Sequence, residues 1–158
     1  MKKIIVVELL NAAIIVCLCW LFRLGIVSYR KGVKKQLSYY KLLLNWNLSD
    51  TGNEKLGAIL SERGYKNVMI YGAGDLGKIL YHKINSSVNV CAFIEKNPNS
   101  GQMEDIPILS CNDAKLKMGE IDCIIVTPFF DFEAIRQELS MQDNKISIIP
   151  LDTLIHDL

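Results

Sequence analysis

The stretch "VMIYGAGDLGKILYHKI", Val68–Ile84, changes character at its glycines. Val68–Tyr71 reads as a short buried strand, and the residues after Gly74 read as a helix. Gly72-Ala73-Gly74-Asp75-Leu76-Gly77 joins them in a G-x-G-x-x-G turn, which carries weight only in this strand-to-helix context. There the first glycine permits the tight turn, the second lets backbone come close to a pyrophosphate, and the third lets the helix lie against the strand. Unpaired N–H groups and the helix dipole then favour a bound phosphate.

Outward from this unit, strand-like and helix-like segments alternate. Strands are expected at "VMIY", "VNVCAFI", "IPIL", "DCIIVT" and "KISIIP", and helices after Gly74, around "CNDAKLKM" and across "PFFDFEAIRQEL". Short, near-continuous apolar runs suit strands covered on both faces, so the fold class is α/β. Right-handed crossovers give a Rossmann-like parallel sheet of about five strands in the order 3-2-1-4-5, preceded by an N-terminal hydrophobic helix. Ligands of such a sheet bind beyond the carboxyl ends of the strands, between the first and the fourth.

Glu95 closes the second strand in "CAFIEKN", about 20 residues past the glycines, where an acid takes ribose hydroxyls. Lys96 follows it and is a candidate for a phosphate or base edge, or else part of a solvated loop. Thr127 and Pro128 end the fourth strand and should face Gly72. Threonine suits a helix cap and proline a first helical position, so the pair is expected both to start a helix and to line the site. Asp75 either repels a phosphate or caps the helix, and no catalytic role is assigned to it. The candidate binding set is therefore Gly72, Ala73, Gly74, Asp75, Leu76, Gly77, Glu95, Lys96, Thr127 and Pro128.

The N-terminal part is of another kind. Eight basic and two acidic residues precede or include Asp50, against ten and fifteen after it, so a basic head adjoins an acidic body. Those basic residues flank the apolar run Ile4–Val27 and are not interleaved with stacking aromatics, which favours an anionic membrane surface over nucleic acid. Such a run is long enough to cross a bilayer as one helix, with Glu8 and Arg23 near its ends and Trp20 as an interfacial anchor. A secretory signal would end a shorter apolar core at a small-residue cleavage site, and no A-x-A pattern follows. The other reading is a helix packed on protein.

Positive charge is heavier after the run, at Arg30, Lys31, Lys34 and Lys35, than before it, which places the body in the cytoplasm behind a single pass. Residues 1–28 are thus read as the membrane helix, 29–66 as amphipathic connector helices, and 67–158 as the nucleotide-binding domain. In the connector, Leu37, Tyr40, Leu44 and Leu48 recur at helical spacing; either its lysine-rich start rests on anionic lipid or its Leu/Tyr/Trp46 face packs on the body. A capping box at Thr51 and Glu54 starts its second helix, and Gly64 ends it.

Signs of catalysis are sparse. Hydride transfer to a sugar commonly uses Tyr with Lys four residues later, and none of the six tyrosines has that lysine. Five cysteines without a C-x-x-C pair and two histidines suggest neither a metal site nor a disulfide framework. Cys91 and Cys123 are expected as small apolar residues within strands.

The residues of "VMIYGAGDLGKILYHKI", "VCAFIEKNPN", "IPILS" and "IDCIIVT" resemble the cytoplasmic nucleotide-binding domain of capsule-type nucleoside-diphosphate-sugar epimerases and dehydratases. A looser likeness is to the N-terminal domain of the sugar O-acyltransferases. The resemblance spans roughly Asn67 to Leu154. It implies that the glycines hold phosphate, that Glu95 replaces the more usual Asp, and that the ligand is NAD(H) or a UDP-sugar. It also implies service to surface-polysaccharide assembly as an accessory module beside glycan enzymes. The catalytic Tyr–Lys domain of those families and the left-handed helix of the acyltransferases have no counterpart in the sequence. The alternatives are a small NAD-dependent sugar-nucleotide oxidoreductase or epimerase completed by a partner chain, and a scaffold that binds no nucleotide.

Overall fold

The computed structural model describes residues 2–49, 55–98, 101–140 and 146–156. Thr51 and Glu54, the expected capping box, lie outside them. The fold is α/β, and its contacts divide the chain into two compact units, Met1–Lys41 and Leu42–Leu158.

Helix α1 (Lys2–Ser49) runs without interruption across residues 28 and 29. No proline falls between residues 2 and 49 to break it. From Ala13 to Leu44 it is long and apolar enough to cross a membrane by length and composition, with none of the apolar window buried in protein. Leu37, Tyr40 and Leu44, the expected packing stripe, are exposed. Trp46 of the expected face does pack, and it enters the core of the second unit together with Leu42, one helical turn before it.

The second unit opens with α2 (Lys55–Glu62), which ends as expected at Gly64. Gly64 takes φ +82°, its N–H donates to the Ser61 carbonyl, and the Tyr65 N–H donates to the Leu60 carbonyl. This is the Schellman pattern, in which a left-handed glycine lets the chain turn out of a helix.

Six strands follow: β1 (Asn67–Tyr71), β2 (Asn89–Glu95), β3 (Gln102–Met103), β4 (Ile106–Ser110), β5 (Cys123–Val126) and β6 (Ser147–Pro150). Between and after them run α3 (Asp75–Ile84), α4 (Cys111–Leu116), α5 (Phe132–Leu139) and α6 (Leu151–His156). The sheet order is β3-β4-β2-β1-β5-β6. Without β3 it is the parallel order 3-2-1-4-5 that the sequence predicts; β3 adds an antiparallel edge paired to the start of β4.

Each strand sends alternate side chains into one of two cores. On one face Val68, Ile70, Phe93, Cys123 and Ile125 pack with Leu56 and Leu60 of α2, Leu80 and Ile84 of α3, and Leu151 and Leu154 of α6. On the other, Met69, Tyr71, Ile94, Ile124 and Val126 pack with Cys111 and Ala114 of α4 and Ile135 and Leu139 of α5. Alternation breaks once, in β2, where Val90 and Phe93 share a face although three residues apart. The β1–β2 register shifts between Val68 and Met69, so Cys91 is the extra residue of a bulge. Cys123 is fully buried, and that burial pushes its thiol up to about 12, so it behaves as a small apolar residue.

Candidate functional site

The glycine turn sits at the carboxyl edge of β1, between β2 on one side and β5 on the other. The three glycines have different reasons to be there. Gly72 takes φ +106°, which L side chains rarely adopt, while its N–H extends the ladder to the Ile94 carbonyl at 2.9 Å. A Cβ there would strike Thr127 Oγ1 and lie 3.3 Å from Pro128 Cδ. At Gly77 a Cβ would strike the carbonyl oxygen of Gly72, so this glycine lets α3 seat against the turn. Packing and backbone geometry therefore account for both.

Neither accounts for Gly74. Its φ of −99° and ψ of −168° are extended and open to any residue, and a Cβ would meet nothing within 4 Å. It occupies the N-cap of α3, where serine or aspartate would satisfy a helix N–H, and no side chain caps the helix. The residue that would most cheaply close this end is replaced by one that leaves it open. Asp75 is the first helical residue, not the cap, and is exposed; Leu76 is half-buried beside it.

Glu95 lies beside the turn, as its position at the end of β2 predicts. One carboxylate oxygen, Oε1, accepts the Ala73 N–H at 2.7 Å, so the acid ties the turn to the end of β2. Lys96 is exposed in the bend that follows. Thr127 faces Gly72, but it is only 4% exposed, and its hydroxyl donates to the Tyr71 carbonyl at 3.0 Å. That bond corrects the expectation of a helix cap.

Pro128 also departs from its expected place at a first helical position. With φ −80° and ψ 66°, and with the Phe129 N–H donating to the Thr127 carbonyl at 2.9 Å, it is the centre of an inverse γ-turn. A 3-10 turn, Phe129–Asp131, comes next, and α5 starts only at Phe132. Phe129 and Phe130 thereby lie in this turn and not in α5, a break that the reading of residues 128–139 as one helix missed.

Charge around α3 is largely internal. Lys78 Nζ lies 2.8 Å and His82 Nε2 3.5 Å from Glu104 Oε1, and the hydrogen bond from Lys78 holds the Glu104 carboxyl below its usual range. Tyr71, the tyrosine nearest the turn, points into the core beneath α4 and α5. Burial, with Cys111 beside it, pushes its phenol well above the usual range, so it stays protonated at neutral pH.

Comparisons with known proteins bear on this arrangement. The chain spans 84% of a UDP-D-quinovosamine 4-dehydrogenase from Vibrio fischeri, with 58% of its own length covered, 20% identity and a TM-score of 0.48. Two structures of a protein called RSP also match, one titled a complex with β-NADH and one a Rex-family repressor. They are 15% and 16% identical, have TM-scores of 0.40 and 0.41, are covered over 63% and 60% of their chains, and cover 63% of this one. No curated protein matches the sequence. A family model described as C2185-like, N-terminal, matches residues 64–149, from the end of α2 to the last strand. That match takes in more than half of the chain and the whole glycine turn with Glu95, Thr127 and Pro128, and the protein belongs to the C2185-like N-terminal family.

Proposed function

We propose that the protein is a membrane-tethered module that binds a nucleotide at the glycine turn. The observation that carries this reading is Gly74. Glycine stands at an N-cap that neither strain nor packing reserves for it, and it leaves the start of a ten-residue helix open at the carboxyl edge of a parallel sheet. Glu95, an acid at the end of β2 bonded to the glycine turn, stands where ribose hydroxyls are commonly held and supports the same reading. NAD(H) and UDP-sugars are the ligand classes, since an acid at this position suits any ribose.

Helix α1 supplies the tether. Its 48 residues extend about 70 Å at 1.5 Å per residue, more than twice the roughly 30 Å hydrocarbon core of a bilayer. The apolar residues up to Val27 span it, and Arg30, Lys31, Lys34 and Lys35 mark the cytoplasmic side. The resemblance of residues 67–154 to nucleoside-diphosphate-sugar epimerase domains supports work beside glycan-assembly enzymes.

Titrating the full-length chain in nanodiscs with NADH, NAD, UDP and UDP-N-acetylglucosamine tests the reading by calorimetry. Saturable binding of at least one is expected; refusal of all four would sink it.

A further inference from the structure

We infer that α1 pairs in parallel with the α1 of a second copy of this chain, along a seam that runs from Asn11 in the bilayer to Tyr40 beyond it. The inference rests on the membrane-tether reading above and goes beyond it, because a tether by itself needs no partner.

Past the apolar run, hydrophobic residues are few enough for their spacing to carry meaning. Tyr29, Val33, Leu37 and Tyr40 follow one another at intervals of four, four and three, and all are exposed. That spacing is an 11-residue repeat, which keeps side chains on one face of a nearly straight helix. Eleven residues before each of them stand Leu18, Phe22, Ile26 and Tyr29, which are exposed in turn. Eleven before Phe22 is Asn11. The repeat thus passes from the bilayer into water without changing face, on a helix that no proline interrupts.

Each part of this seam leaves something unmet. Tyr40 lies about 20 Å beyond Val27 along the axis, so an unbroken α1 carries Val33, Leu37 and Tyr40 off the bilayer and holds them in water. Apolar residues aligned on one exposed face call for another apolar face. At the other end Asn11 is exposed about 7 Å from the middle of the Ile4–Val27 run, where hydrocarbon offers its amide neither donor nor acceptor. Between the two, Gly25 lines an apolar hollow with Leu18, Leu21, Phe22, Ile26 and Tyr29, and a Cβ there would meet nothing within 4 Å. A glycine so placed lets a second helix come close.

A second copy answers all three. The basic residues orient every copy alike, so two α1 helices stand parallel and at equal depth. Asn11 then meets Asn11 of the partner subunit, and an amide carries both the donor and the acceptor that its twin requires. Any other partner would have to cross the bilayer and continue about 20 Å past it with a matching repeat, which a second α1 does of itself. Charge does not oppose the pairing. Every Lys and Arg from Arg23 to Lys41 lies roughly 70° or more round the helix from the middle of the seam, so like charges stay outside.

The full-length chain in liposomes of phosphatidylcholine and phosphatidylglycerol is the material, with flotation to read membrane insertion. Energy transfer between donor-labelled and acceptor-labelled copies, followed as lipid per chain is raised, reads pairing. Reversible pairing of the wild-type chain is expected. Val33→Glu sets two carboxylates face to face beyond the bilayer and should weaken pairing at least about tenfold. Asn11→Leu removes the amide pair and should weaken it about threefold. Lys34→Glu, a charge change off the seam, should leave it as it is, and all three variants should melt as the wild type does. A chain that floats with the liposomes but stays monomeric overturns the inference and leaves the tether standing, with lipid or another protein over the seam. Pairing that survives either seam change, or that Lys34→Glu weakens as much as Val33→Glu, also overturns it. A chain that does not float overturns the inference and the tether together.

Discussion

Two helices begin at the same edge of the sheet and begin differently. Helix α4 starts behind Ser110, whose hydroxyl accepts the Asp113 N–H at 3.1 Å and itself donates to Asp113 Oδ2 at 2.6 Å. Helix α3 starts behind Gly74, with no side chain at all. Both follow a parallel strand, and both have the unpaired N–H groups that every helix start exposes. The chain closes one and leaves the other open, although a single hydroxyl or carboxylate would close it. On the proposed reading, the open start is the one that takes a phosphate, and the closed one is structural.

The opposite edge of the sheet sharpens the contrast. There Asp122 Oδ2 accepts the N–H groups of Asn67 and Lys66, each at 2.8 Å, and the Asp122 N–H donates to the Asn67 carbonyl. Here one carboxylate ties two successive backbone N–H groups. At the glycine turn Glu95 accepts the Ala73 N–H, a single bond to the turn's backbone.

The largest expected effect comes from breaking the packed part of the open start. Gly77→Ala drives a Cβ into the Gly72 carbonyl, a backbone atom that cannot swing aside, and should cost about 3 kcal/mol in urea unfolding. An unchanged midpoint would mean that Gly77 is not there for packing. Next is the closed start: Ser110→Ala removes the α4 cap and should cost about 1 kcal/mol without weakening nucleotide binding. Lost binding there would show that the two starts do not divide into structure and function.

The smallest effect lies at the far edge. Hydrogen bonds from the Asn67 and Lys66 N–H groups hold the Asp122 carboxyl below its usual range. A depressed folded value contributes stability that is fully present above the unfolded value, about pH 4, and is lost as pH falls through the folded one. Asp122→Asn should therefore flatten the acid limb of the melting-temperature profile below about pH 4, while the profile near neutrality keeps its shape. A wild-type acid limb in the variant would contradict this placement of the charge.

Much of this molecule was legible because its signals are local. Continuous apolar runs gave the five parallel strands, and the glycines at 64, 72 and 77 stand where a left-handed turn or a close helix contact demands them. What escaped depends on contacts distant in sequence. The β3–β4 turn uses Glu104 and Asp105 at φ +54° and +63°, where glycine or asparagine is the usual sign, and Glu104 is held there by Lys78 and His82 of α3. The Cys91 bulge is set by pairing with β1, so strict alternation misassigns half of β2. In α1 the sequence named Trp46 for packing but grouped it with Leu37, Tyr40 and Leu44, which are exposed, and spacing alone could not pick Leu42 as its partner because all are apolar at helical intervals. The open character of Gly74 was legible only as a motif; the structure adds that nothing internal requires it.

The most direct test is Gly74→Asp in the full-length chain, with calorimetric titration of NADH and UDP beside a melting curve. Aspartate supplies the missing cap and places a carboxylate where a phosphate would sit, so the melting temperature should hold or rise while affinity falls at least a hundredfold, about 2.7 kcal/mol. Unchanged affinity for a ligand that the wild-type chain binds would contradict the account.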